Sequence, residues 1–236
     1  SAASDVYKRQ LYDMPGLDFR AANGPAYVQP PAAFKHDFLQ LLELGQGFVF
    51  LHHAIASWPG WDEYAEIVGG RFLYKPDQVR GVQYPDSGYR HDVEHQVSVV
   101  LEHPVTEGVA VQFGITDELY LAHAFADSIT PLLLSDYQFV DKNFYSAHAA
   151  VKGLLYSRED WHHGPGHNMI GWVKNYRNSP IVYLQCGDSE AAYGNPNFQR
   201  LLSNAINWVA SDEAKAWARQ RYARAGDDLP PAPVRG

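Results

Sequence analysis

A chain of 236 residues, 46% hydrophobic and 19% charged, carries enough apolar material for one large core rather than two small ones. A formal charge of -8 with only 19 Lys+Arg and no basic stripe excludes an electrostatic footprint for nucleic acid. No run of about 18 uncharged apolar residues is available to span a bilayer, and the single cysteine, Cys186, cannot form an internal disulfide, which fits a reducing, cytoplasmic location.

Residues 1–10 have no apolar periodicity and read like an assembly scar outside the core, so the predicted domain is 11–225. Pro30 and Pro31 precede Phe34, Phe38, Leu41 and Leu42 at helical spacing, and Gly45 and Gly47 stop that helix. Phe48 to Leu51 then form the short apolar run that a strand buried on both faces requires. Val97 to Leu101, Leu119 to Leu121, Pro131 to Leu134 and Pro180 to Leu184 are further strand candidates, separated by loops and helical stretches. This alternation predicts an α/β fold with an open, mostly parallel sheet and helices on both faces. Asn195 and Pro196 supply an N-cap and first turn for a helix carrying Phe198, Leu201, Leu202, Ala205, Ile206 and Val209, whose expected buried face is Phe198, Leu202 and Ile206. A second helix is predicted from Asp212 to Arg224, and 226–236 is a Pro-rich flexible tail.

Ligands of open α/β sheets bind beyond the carboxyl ends of the strands, and His52 and His53 fall at such an end. Adjacent strand residues face opposite sides, so at most one of the two reaches a given cleft unless the chain has already left the strand; a hydrogen-bonded packing role is the alternative. Trp58 and Trp61 flank a small-residue turn and offer indole faces to a sugar, or pack beneath the loop. In the segment Tyr89 to His95, His91 and His95 are four apart and share a face in helix or strand, which makes them a possible two-ligand metal site. Asp117, Glu118 and Tyr120 place two carboxylates and a phenol at another predicted strand end, where a carboxylate serves as base or orients a histidine. The histidine-rich loop Trp161 to His167 either closes over a ligand or is solvated. No G-x-S-x-G elbow, Walker A loop or G-x-G-x-x-G fingerprint is present, and Cys186 follows an apolar run without an adjacent base.

From about Tyr12 to Trp217, several segments recur in one order: Gly47 to Ala54, Gly69-Gly70-Arg71-Phe72, His103-Pro104-Val105-Thr106, Thr116 to Tyr120, Val182 to Gln185, and Asn195-Pro196 with its helix. In these the chain resembles the ThuA-like family, named for trehalose utilisation. The resemblance implies a class I glutamine amidotransferase-like, flavodoxin-like sandwich without amidotransferase activity, because Cys186 lies too late in the chain to match the nucleophile of that fold's relatives. It also implies bacterial sugar catabolism, with trehalose-like disaccharides or their 3-keto derivatives as substrates. His52, Asp117, Glu118 and Tyr120 match family motif positions. Two departures stand out: the family's first strand is replaced by the scar-like start, as in a truncated domain, and Gly187-Asp188 stands where many relatives carry Gly-His, so a histidine role is not carried over there.

The leading expectation is therefore a sugar-processing enzyme. His52 acts as base or metal ligand, Glu118 or Asp117 is its partner, and Trp58, Tyr89, Tyr120 and His53 line the substrate. His91 and His95 are the expected ligands of a divalent metal such as zinc or manganese. The expected partner is a small carbohydrate, with no nucleic acid and no membrane, in a monomer or homo-oligomer. Two rivals are a non-catalytic carbohydrate-binding or regulatory domain and a metal-dependent amide or ester hydrolase.

Overall fold

The structure, a computed structural model, describes residues 14–19, 21 and 25–227. The expectation for residues 1–10 lies outside these residues, as does most of the predicted tail; residues 226 and 227 end the last helix. Seven strands form the main sheet: β1 (Phe48–Leu51), β2 (Gly88–Val99), β3 (Gln112–Leu121), β4 (Thr130–Ser135), β5 (Tyr145–Ser146), β6 (Met169–Tyr176) and β7 (Ser179–Leu184). The order is β5-β2-β4-β6-β7-β1, with β3 also paired to β2. The helices are α1 (Ala32–Glu43), α2 (Asp62–Val68), α3 (Ala147–Val151), α4 (Glu190–Gly194), α5 (Pro196–Ala210) and α6 (Asp212–Asp227).

Every residue of β7 is buried, which is why its sequence is apolar on both faces. Its alternation divides two cores. Ile181 and Tyr183 pack with Phe38 and Leu42 of α1 and with Tyr64, Ile67 and Val68 of α2, whereas Val182 and Leu184 pack with Phe198, Leu201 and Ala205 of α5 and Ala214 of α6. Helices therefore cover both faces, as expected.

The sheet itself is mixed, not mostly parallel. Only β7 and β1 run parallel, while β2 pairs antiparallel with β3, β4 and β5, and β6 pairs antiparallel with β4 and β7. A run buried on both faces looks the same in either direction, so periodicity could not set strand polarity. Two further corrections concern extents. Val97 is close to the end of a twelve-residue strand, with Val100 and Leu101 exposed beyond it, and Leu119 to Leu121 close a ten-residue strand. On α5 the buried residues are Phe198, Leu201, Ala205, Trp208 and Val209, with Leu202 and Ile206 only half-buried.

Among the described residues no helix is long and apolar enough to cross a membrane.

Candidate functional site

β1 ends at Leu51, and His52–Ala56 winds into a 3-10 turn that opens with His52 at φ 37°. A side chain held in that left-handed region stores on the order of 1 to 3 kcal/mol of strain, of a kind that clusters at functional sites. The turn abolishes strand alternation, so both imidazoles reach the same space, with ring centroids 4.5 Å apart. His52 is fully buried. Its Nδ1 lies 2.5 Å from the Gln185 carbonyl and its Nε2 2.8 Å from Glu118 Oε2. A carbonyl only accepts, so Nδ1 carries a proton and Nε2 is the atom presented to the site.

Strand β3 brings the carboxylates, and its alternation gives them different tasks. Glu118 and Tyr120, two apart, face His52, with the Tyr120 ring 4.6 Å from the His52 ring. Asp117 faces away and is fully engaged: it accepts from the backbone N–H of Glu118 at 3.0 Å, Gly187 at 2.7 Å and Asp188 at 3.1 Å. It thus clamps the turn after β7 rather than meeting a substrate. That clamp sets Asp188, whose Oδ1 is 3.7 Å from His52 Nε2 and 3.8 Å from His53 Nε2.

Charge follows from these contacts. Burial opposes a charged His52, yet the Glu118 hydrogen bond and charge lift it above its ordinary range, and the same contact draws Glu118 down against the burial that would raise it. The two directions agree on a buried ion pair in the absence of a cation, and a metal ion bound by Nε2 would take the place of its proton. His53 is pushed down by burial and by His52, which keeps it a neutral lone-pair donor. One donor atom from each of His52, His53, Glu118 and Asp188 lies within 4.8 Å of all the others. Donors held about 2.1 Å from a tetrahedral ion sit about 3.4 Å from one another, and the observed 2.8, 3.7 and 3.8 Å separations bracket that spacing. Two imidazoles with two carboxylates suit zinc or manganese, and an Nδ1–H held by a carbonyl is the usual support for a ligating histidine.

The other expected residues separate into neighbours and bystanders. A bulge between Arg90 and Val93, with Asp92 at φ 53°, splits the His91 and His95 pair. His91 turns to Glu118, with Nδ1 3.3 Å from Oε1, while His95 is buried against Ser135 Oγ at 2.9 Å. The structure does not bring them together as a metal pair. Tyr89 lies directly across from Tyr120 in the β2–β3 register. Trp61 is buried against Phe38 and Tyr64 beneath the loop, whereas Trp58 packs on Phe34 at 5.5 Å and stays half-buried. Trp161 anchors its loop by donating to the Asp86 carbonyl, which leaves less of that segment free than a solvated loop would have. Burial pushes the Cys186 thiol far up, as for an inert packing residue. Sequence reasoning missed Asp188 and Gln185. Both follow β7, and β7 is parallel to β1, so the rule that selected His52 applies equally to the end of its neighbour.

These features define an α/β sandwich with a histidine and carboxylate cluster at the C-terminal ends of its one parallel strand pair. The chain belongs to the ThuA, trehalose utilisation, family, whose profile matches residues 23–209. It is similar in fold to a ThuA-like protein from Parabacteroides merdae ATCC 43184, at 18% identity and a TM-score of 0.56, over 78% of this chain and 67% of that one. A ThuA-like protein from Bacteroides uniformis ATCC 8492 is similar at 20% identity and a TM-score of 0.51, with the same coverage. No curated protein matches the chain.

Proposed function

We propose that this chain is a sugar-processing enzyme of carbohydrate catabolism that acts on a trehalose-like disaccharide or its 3-keto derivative by acid/base chemistry, with a divalent ion held by His52, His53, Glu118 and Asp188. The observation that carries the reading is the convergence of those four donor atoms at one end of the sheet. Family membership supports the substrate class. A divalent ion, when bound, supplies Lewis-acid polarisation of a sugar oxygen and a lowered pKa for a water it holds.

The chain's own groups do the rest. The Gln185 carbonyl fixes the His52 ring so that Nε2 points inward, and Asp117 fixes Asp188 through its backbone. Burial holds the Tyr120 phenol protonated beside Glu118, where it acts as a hydrogen-bond donor. His91, at the rim, contacts Glu118 on one side and solvent on the other.

The test is to load the protein with zinc or manganese, desalt it, count the retained ion by mass spectrometry, and then assay trehalose and a 3-keto-disaccharide with and without chelator. One ion per chain and chelator-sensitive turnover are expected. Failure to retain either ion sinks the metal reading, and sugar binding without turnover would favour a non-catalytic carbohydrate-binding domain.

A further inference from the structure

A row of tyrosines leads outward from the histidine cluster. In the strand registers Tyr120 of β3 stands opposite Tyr89 of β2, and Tyr89 stands opposite Tyr145 of β5. Residues directly opposite in an antiparallel pair share a face. The inner end touches the cluster, since the Tyr120 ring is 4.6 Å from the His52 ring and 6.3 Å from the His53 ring. Two interstrand steps of about 4.8 Å make the row about 10 Å long, which matches the reach of two linked pyranose rings.

Burial is graded along it. Tyr120 and Tyr89 are 5% and 6% exposed, Tyr145 is half-buried, and Tyr156 beyond it is 57% exposed. Tyr156 is tied to the row: its backbone N–H donates to the Tyr89 hydroxyl at 2.9 Å, and its ring lies 5.5 Å from Tyr145 and 6.1 Å from His91. His91 in turn reaches Glu118, so the exposed ring and the cluster are connected through one side chain. The guanidinium groups of Arg90 and Arg158 lie 4.9 and 4.5 Å from the Tyr145 ring centre, placing hydrogen-bond donors along the same edge.

We propose that this outer end, Tyr156 with His91, Tyr145 and Arg158, is the subsite for the second, non-reacting ring of a disaccharide, whose C–H face stacks on Tyr156 while its first ring enters the histidine cluster. The inference rests on the sugar-processing reading above and adds to it a preference for disaccharides over monosaccharides. An aromatic face takes the apolar side of a pyranose, and the arginine donors suit its hydroxyl rim. The Tyr156 backbone is anchored on Tyr89, so covering the ring costs only the freedom of that side chain.

Calorimetric titration of the metal-loaded protein with trehalose and with methyl α-glucoside tests this. Wild type should bind trehalose at least about tenfold more tightly, or about 1.4 kcal/mol. Tyr156→Ala should erase that margin with methyl α-glucoside binding unchanged, and Tyr156→Phe should keep it, because the ring face rather than the hydroxyl is used. A full margin in Tyr156→Ala overturns the subsite alone, whereas binding of neither sugar by wild type overturns both the subsite and the sugar reading. Unchanged methyl α-glucoside binding in Tyr156→Ala also serves as the control that the variant is folded.

Discussion

Two of the histidine pairs in this chain behave in opposite ways. His52 and His53 are adjacent, and strand geometry would send them to opposite faces, yet they share one site because the backbone leaves β1 before either of them. His91 and His95 are spaced to share a face in helix or strand, yet a bulge at Asp92 parts them, one to Glu118 and the other to Ser135. Spacing predicts a shared face only while the backbone stays regular, and functional residues occur where regularity ends.

The largest expected effect falls on the pair that converges. His52→Ala should lower zinc affinity by more than about 100-fold, beyond what loss of a supporting contact costs. It should also destabilise the metal-free protein, because it removes the nearest partner of the buried Glu118 charge and leaves only His91 and Tyr120 to offset it. Denaturant melts with and without zinc would measure both, and a variant that still retains zinc would remove His52 from the ligand set.

A smaller effect separates the other pair. Burial drives His95 down to about 4, so the folded state favours its neutral form. Its contribution is therefore complete above the unfolded value of 6.5 and is lost as pH falls from there through about 4. His123, also pushed down to about 4 by burial, acts in the same sense. The melting temperature should fall on acidification across this window, and His95→Gln should flatten the fall without changing zinc retention. An unaltered pH profile in that variant would show that His95 does not titrate in this way.

The smallest effect belongs to His91, which is exposed at the rim. His91→Ala should change stability by no more than about 0.5 kcal/mol and zinc affinity by no more than about tenfold. A complete loss of zinc would make His91 a ligand and bring the two pairs back into one site.

Sequence pattern located β1, α1 and α5 because each has a strong local signal: a continuous apolar run, a double proline before a helical repeat, and an Asn-Pro cap. β6 escaped notice. Its sequence breaks the apolar run with Gly171, Lys174 and Asn175, and the amine of buried Lys174 donates to the Glu66 carbonyl of α2. Such a partner is invisible to periodicity. Within the site, His52, His53, Glu118 and Tyr120 were legible from strand-end placement and motif resemblance. Asp188 was not, because its place depends on two backbone hydrogen bonds, from Gly187 and Asp188 to Asp117, a contact between residues far apart in the chain. Asp117 was legible as a polar residue, but which of two adjacent carboxylates turns inward is a matter of register.

The Asp117 clamp has a consequence for how the protein is made. It joins the middle of the chain to the turn after β7, and Asp188, the last of the four donors, lies in that turn. During synthesis the two histidines and Glu118 emerge well before this turn exists. A nascent chain that has not yet delivered residue 188 offers three of the four donors, so the complete cluster forms only once the early and late segments have met.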